Sequence, residues 1–254
     1  MNILIANDDG IRAEGIKRLA GALSQKANVY VFAPDSQRSA AGHGITVGRA
    51  ITCTPVAFPG ADEAFMVDGT PADCVKLGMR VLENHGVRID MVFSGINHGS
   101  NLGTDTLYSG TVSAAIEGNL CGVPAVAVSV ASHKATHFDM ACDLAVKALE
   151  EGFMRMDPLT TLNINTPDTD KEDIKGVKIT RLGARQYDNW LDEMPDENGA
   201  LSFKYSGEPL RHNSSNTEID VLALQAGYAT ITPLMFDLTN HHIFKTMKDW
   251  GLTE

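Results

Sequence analysis

Residues 2–10 read Asn-Ile-Leu-Ile-Ala-Asn-Asp-Asp-Gly, an apolar run that stops on two adjacent carboxylates and a glycine. A short apolar run closed in this way reads as a buried parallel strand. In open α/β sheets the crevice beyond the carboxyl ends of such strands is where ligands bind. Two acids about 4 Å apart there repel by roughly 4 kcal/mol at an effective dielectric near 20, a cost that a divalent cation removes. Working outward, Glu14 to Ser24 puts Ile16, Leu19, Ala20 and Leu23 on one helical face, and Asn28 to Ala33 returns as a second apolar run. Together these make a βαβ unit.

The alternation continues to residue 150. Thr70-Pro71 supplies an N-cap with proline at the first helical position, and Val75, Met79 and Leu82 follow at helical spacing. Ile89 to Phe93 predicts a buried strand, Ser109 to Cys121 a helix closed by Gly122, Pro124 to Val130 another strand, and Phe138 to Leu149 a helix. The fold class expected is α/β, a Rossmann-like, doubly wound, mostly parallel sheet, with residues 1–150 as the catalytic core. Between Ile45 and Val67 the pattern predicts a meander or flap beside the sheet. Beyond residue 150, Thr161 to Asn165, Val177 to Leu182, Leu201 to Tyr205 and Glu218 to Leu224 read as strands, and Gly207 to Thr217 as an exposed loop. Residues 151–254 are expected to be a β-rich part integrated with the core, carrying an arm for self-association.

Composition excludes several classes. The 254-residue chain is 43% hydrophobic and carries a net charge of −11, with its basic residues scattered rather than gathered in a stripe, which argues against a polymeric nucleic acid as partner. The first residues lack the features of a signal peptide and no run of eighteen apolar residues occurs, so the expectation is a soluble, cytoplasmic protein that does not engage a membrane. Cys53, Cys74, Cys121 and Cys142 form no Cys-x-x-Cys pair, which argues against a zinc ribbon or redox motif.

Three segments that follow strand ends carry the chemistry: Asn7 to Gly10, Pro34 to Thr46, and Ser94 to Thr111. In a parallel sheet those ends share one edge, so Asp8, Asp9, Ser39 and Asn97 can meet in space. All four offer oxygen, and hard oxygen donors that include two carboxylates favour Mg²⁺ or Mn²⁺. The third segment ends at Ser109-Gly110-Thr111, where a helix begins. Its unpaired first-turn amides and macrodipole suit an anion, and Gly110 lets a phosphate approach the backbone. Ser109, Gly110 and Thr111 are therefore candidate phosphate contacts, with His43, which lies in the Ser39 segment, and Asn101, which lies in the third segment, as further candidate phosphate or substrate contacts.

Each residue alone also has a plain structural reading. Asp8 and Asp9 suit a turn or N-cap, Ser39 an exposed loop, Asn97 a left-handed turn and Ser109 a cap. The joint placement at strand ends carries the argument. His133 and His137 have the spacing of paired metal ligands, but they lie in a predicted loop with no third ligand.

The phrases NDDG at residues 7–10, APDSQRSAAG at 33–42, SGINHGSNLG at 94–103, YSGTVSAA at 108–115 and GYATITPL at 227–234 closely resemble the SurE family of survival proteins. The resemblance implies a metal-dependent phosphatase of nucleoside 5′-monophosphates, with 3′-monophosphates and short polyphosphate as further substrates. It also implies a Rossmann-like fold and a homodimer or homotetramer. By position, Asp8, Asp9, Ser39 and Asn97 match the family's metal ligands, and Ala40 and Ser113 stand where many members have glycine. Either Asp8 or Asp9 is a candidate general base. The rival reading is a Mg²⁺-binding phospho-receiver module, which also keeps adjacent acids after its first strand. It needs a phospho-accepting Asp after a middle strand, where this chain has Ser94-Gly95-Ile96-Asn97.

Overall fold

The computed structural model describes residues 1–188, 191–195, 200–210 and 214–250. In chain order the elements are β1 (Asn2–Ala6), α1 (Glu14–Leu23), β2 (Asn28–Pro34), β3 (Cys53–Pro55), β4 (Glu63–Val67), α2 (Pro71–Asn84), β5 (Met91–His98), α3 (Gly110–Leu120), β6 (Ala125–Val130), α4 (Asp139–Lys147), β7 (Thr161–Thr166), β8 (Val177–Ile179), β9 (Leu191–Met194), β10 (Ser202–Tyr205), α5 (Asp220–Gln225), β11 (Ala229–Leu234) and α6 (His241–Thr246). Among the described residues, nine strands form one sheet in the order β3-β4-β2-β1-β5-β6-β7-β11-β8, and β9 pairs with β10 separately.

Strands β4, β2, β1, β5, β6 and β7 run parallel, so their carboxyl ends share an edge. Their helices cover both faces. Ile3, Ile5, Phe93 and Val128 pack with Leu19 and Leu23 of α1 and Leu144 of α4, while Leu4, Phe32 and Val92 pack with Val75 and Leu82 of α2 and Val112 of α3. Strand residues thus alternate between two cores, as a sheet buried on both faces requires. Helix α2 starts in a capping box, in which the Thr70 side chain and Asp73 each accept the other's backbone N–H. The four cysteines are free.

The structure corrects several expectations. Within Ile45 to Val67 the two short β segments join the sheet itself rather than a flap beside it: β4 pairs parallel with β2, and β3 pairs antiparallel with β4 at the sheet's edge. Strand β5 continues through Ser94 to His98, with an irregular register between Ser94 and Asn97, so Asn97 sits on a strand and not in a loop. Glu218 to Leu224 is not a strand. Helix α5 forms there because the buried Asp220 carboxylate accepts the N–H groups of Gly103, Gly183 and Val221, a tertiary demand that overrides the alternating pattern. Strand β11, not predicted as an element, inserts antiparallel to β7 and parallel to β8. The described residues of the loop Gly207 to Thr217 are largely exposed, and its residues 211–213 lie outside the described ones.

Candidate active site

The acidic turn is built where β1 leaves the sheet. The Asn7 amide donates to Gly10 O at 2.9 Å, and Gly10 takes φ +96°, which glycine alone adopts without strain. Ile11 N–H donates to Pro34 O and Arg38 N–H to Asp8 O, tying the turn to the segment after β2.

Asp8 is 5% exposed. Its Oδ1 accepts the Thr111 hydroxyl at 2.5 Å, and a Cβ placed on Gly110 would lie 2.8 Å from Asp8 Cβ. The carboxyl therefore lies directly against the start of α3. Burial pushes it up to about 6; the Thr111 hydrogen bond opposes this and the Asp9 charge adds to it. Asp9 Oδ2 accepts the backbone N–H of His98 at 3.0 Å, which brings it beside Asn97. The Asn97 amide nitrogen donates to Gly99 O at 2.7 Å, directing its donor end away and leaving Oδ1 as an acceptor. Gln37 Nε2 donates to Ser39 Oγ at 2.9 Å and lies 3.5 Å from Asp9 Oδ1, so these two oxygens converge on one small group. The geometry thus gathers Asp8, Asp9, Ser39 and Asn97 at one edge.

This donor set suits a hard cation. Among the described residues no basic side chain forms an ion pair with Asp8 or Asp9, and nearby Arg38 pairs with Asp35 instead. A nearly buried carboxylate beside a second acid, with no cation of the protein to offset it, carries an uncompensated desolvation cost. Among the described residues no group of three or more His, Cys, Asp or Glu side chains is placed to hold a metal ion by itself, and the arrangement here is two carboxylates with neutral oxygens.

Helix α3 supplies the facing wall. Ser109 caps it by accepting Val112 N–H at 3.0 Å, and Ser113 N–H bonds Ser109 O, which leaves the Gly110 and Thr111 amides at the open end without intrahelical acceptors. The Thr111 side chain does not join that wall. Its hydroxyl is committed to Asp8, so the residue offers an anion only its backbone. The Ser109 hydroxyl differs: it accepts in its cap and keeps its own proton to donate to an anion.

The remaining candidates lie further from the acids. His43 Nε2 meets Glu117 Oε2 at 2.9 Å, and Lys76 Nζ reaches the other oxygen at 2.5 Å. Glu117 is nearly fully buried, and although burial raises its pKa, His43 and Lys76 together hold it below the ordinary carboxylate value. Asn101 is turned into the protein: its amide donates to Ser129 Oγ, its N–H to Asn165 Oδ1, and its carbonyl accepts from Asn163 and Asn165. His137 bonds Asp168, an ordinary surface pairing. Gln37 and Glu117 escaped sequence reasoning. A glutamate on an otherwise apolar helix face was the available signal for the second. The tip of the Ser39 segment also holds Ala40 at φ +54°, a left-handed conformation that favours glycine.

Residues 3–189 match the family model described as Survival protein SurE. The chain belongs to the SurE family. It is 46% identical over 250 residues to a protein of Pelotomaculum thermopropionicum named 5'-nucleotidase SurE, covering 98% of this chain and 94% of that one. A protein of the same name from Syntrophomonas wolfei is 46% identical, over 96% and 92% of the two chains. The crystal structure of the SurE protein from Aquifex aeolicus superposes with a TM-score of 0.84 at 36% identity, covering 98% of this chain and 99% of that one.

Proposed function

We propose that this SurE-family protein is a metal-dependent 5′-nucleotidase that hydrolyses nucleoside 5′-monophosphates to nucleoside and phosphate. The observation that carries the reading is the buried Asp8 carboxylate, next to Asp9 and pressed against the open amides of α3. Full-length similarity to proteins named 5'-nucleotidase SurE supports the substrate class. In this reading Asp8, Asp9, Ser39 and Asn97 hold Mg²⁺ or Mn²⁺. Such an ion, when bound, withdraws charge from the phosphoryl group and lowers the pKa of water.

The chain's own residues do the rest. Gly110 and Thr111 N–H groups, with the positive end of α3, hold the non-bridging phosphoryl oxygens and take up charge as it develops. Thr111 fixes Asp8 in one rotamer. His98 N–H does the same for Asp9, which is less buried than Asp8 and so better placed to accept a proton from water. Ser109 accepts Val112 N–H in the helix cap and donates its hydroxyl proton to a phosphoryl oxygen. His43 is held by Glu117 at the edge of the Ser39 segment, and Asn101 belongs to the supporting layer beneath.

Activity on 3′-monophosphates and short polyphosphate, a cytoplasmic location, and assembly as a homodimer or homotetramer through the β9–β10 ladder complete the reading. Exposed Phe203 and Tyr205 on that ladder support the assembly. Among the described residues no helix is long and apolar enough to cross a membrane. The test is phosphate release across a set of phosphomonoesters, with and without chelator. Release from nucleoside 5′-monophosphates that the chelator abolishes, and that Asp9→Asn loses while its melting curve is retained, is the expected result; chelator-resistant release refutes the metal site.

A further inference from the structure

The segment that carries Ser39 has no apolar anchor. None of residues 39–50 is buried, and Ile45 and Val47 are 50% and 83% exposed. A stretch with so little buried apolar surface opens at little cost unless polar bonds hold it. Those bonds flank Ser39. Just before it, Arg38 N–H donates to Asp8 O at 2.7 Å, and three residues after it Gly42 N–H donates to Tyr108 O at 3.1 Å. Thr46 N–H donates to the Asp73 carboxylate of α2. Between the last two, the His43 side chain reaches α3, where its Nε2 lies 2.9 Å from Glu117 Oε2.

Glu117 is 1% exposed and stands seven residues beyond Gly110, about 10.5 Å further along the same helix. A carboxylate at that depth has to be paired and hydrogen-bonded. Lys76 of α2 takes Oε1 at 2.5 Å and His43 takes Oε2, so the group is held between α2 and the Ser39 segment. An ionised carboxylate only accepts, which makes His43 Nε2 the donor. The bonds of Glu117 therefore run to the arm and to α2, not to Asp8 or Asp9. Helix α3 serves the site at two levels: its open end faces Asp8, and two turns further on its buried carboxylate grips the chain that delivers Ser39. A loop closed at both ends over so few residues has few conformations left to it, and releasing one end restores them.

We infer that Glu117 is a positioning residue for Ser39: through His43 it pins the far end of the loop of residues 38–43, which keeps the Ser39 hydroxyl beside Asp8, Asp9 and Asn97. Lys76 fixes the carboxylate in the orientation that does this. His43 acts on the arm and not on the phosphate. The inference rests on Ser39 being a donor to the metal, as proposed above.

The test measures Mn²⁺ binding to the intact protein, without substrate, from the loss of the free-ion EPR signal. The parent, Ser39→Ala, His43→Leu and the double variant form a cycle, each checked for a parent-like melting curve. Loss of an outer-shell partner of a metal ligand costs about 10–100-fold in affinity, and His43→Leu, one step more remote, is expected to raise the Mn²⁺ Kd by about tenfold. In the Ser39→Ala background the same substitution should add less than about twofold, because the arm then delivers no hydroxyl. His43→Gln carries its N–H₂ as many bonds from Cα as Nε2 and should bring the Kd back to within about threefold of the parent. Should His43→Leu not fold, Glu117→Met takes its place in the cycle. A Kd for His43→Leu that matches the parent, where Ser39→Ala weakens binding, overturns the inference and leaves the metal site standing. So does a full additional loss in the Ser39→Ala background, or a His43→Gln no tighter than His43→Leu. A parent that binds no Mn²⁺, or binds it equally well without the Ser39 hydroxyl, overturns both the inference and the role proposed for Ser39. Binding that follows the cycle in a protein that releases no phosphate from AMP sinks the nucleotidase reading alone.

Discussion

Gly110→Ala isolates the contact between Asp8 and α3 from the stability of the fold. The added methyl would lie 2.8 Å from Asp8 Cβ and 3.1 Å from both Asp8 Oδ2 and Pro71 Cγ. Restoring ordinary contact, near 3.5 Å, needs a separation of roughly half an ångström or more. Overpacking of this kind costs about 1–3 kcal/mol, while alanine in place of glycine in a helix returns up to about 1 kcal/mol. Net destabilisation is therefore at most a few kcal/mol, and the protein stays folded. Activity is more exposed, since a displacement of about 1 Å at reacting groups costs about 100-fold in rate. The expected result is a 10- to 100-fold fall in kcat/KM for phosphate release from AMP, with the folded protein verified by thermal melting. Gly21→Ala is the control: in α1 its methyl meets nothing within 4 Å, so it should leave turnover intact. Turnover of Gly110→Ala within twofold of the parent would refute the claim that Asp8 and the α3 amides form one unit.

Two further predictions concern single polar groups. Thr111→Val removes the hydroxyl that Asp8 accepts while keeping the shape, so the metal concentration needed for half-maximal phosphate release should rise at least tenfold; a titration unchanged from the parent would show that Asp8 needs no such support. For Asp168, burial raises the carboxyl, but the N–H groups of Thr136 and His137 more than offset it and hold it at about 2, below its unfolded value of 3.8. Its stabilising contribution is thus complete above pH 4 and lost as pH falls through about 2, amounting to about 1–2 kcal/mol after solvent screening. Asp168→Asn should flatten the stability curve across that window, as read by urea unfolding, and an unaltered slope would count against it.

Much of this was written in local pattern. The apolar run into Asp8-Asp9, the face formed by Ile16, Leu19 and Leu23, and the Thr70-Pro71 cap each specify their element with short-range chemistry, and the structure follows them. Asn97 was placed correctly at the edge but in the wrong kind of element. Ser94-Gly95 reads as loop punctuation, whereas the sheet carries the strand past it by way of an irregular register. Residues 218–224 failed for the opposite reason, because Asp220 is satisfied by Gly103, over a hundred residues away. Thr111 illustrates the limit within the site: its position on the anion-facing turn was legible, but the partner of its hydroxyl depends on how closely α3 approaches β1, and Gly110 sets that distance.

The position of β11 has a consequence for biogenesis. Strand β8 emerges from the ribosome some fifty residues before β11, yet β11 is its only sheet neighbour among the described residues. The parallel strands through β7 can assemble while synthesis continues. Residues 177–179 must wait, with an edge to complete and nothing yet made to pair with. Asp220 lies within this waiting stretch, so the parallel framework can form well before the chain completes the bonds by which that carboxylate ties Gly103 to Gly183.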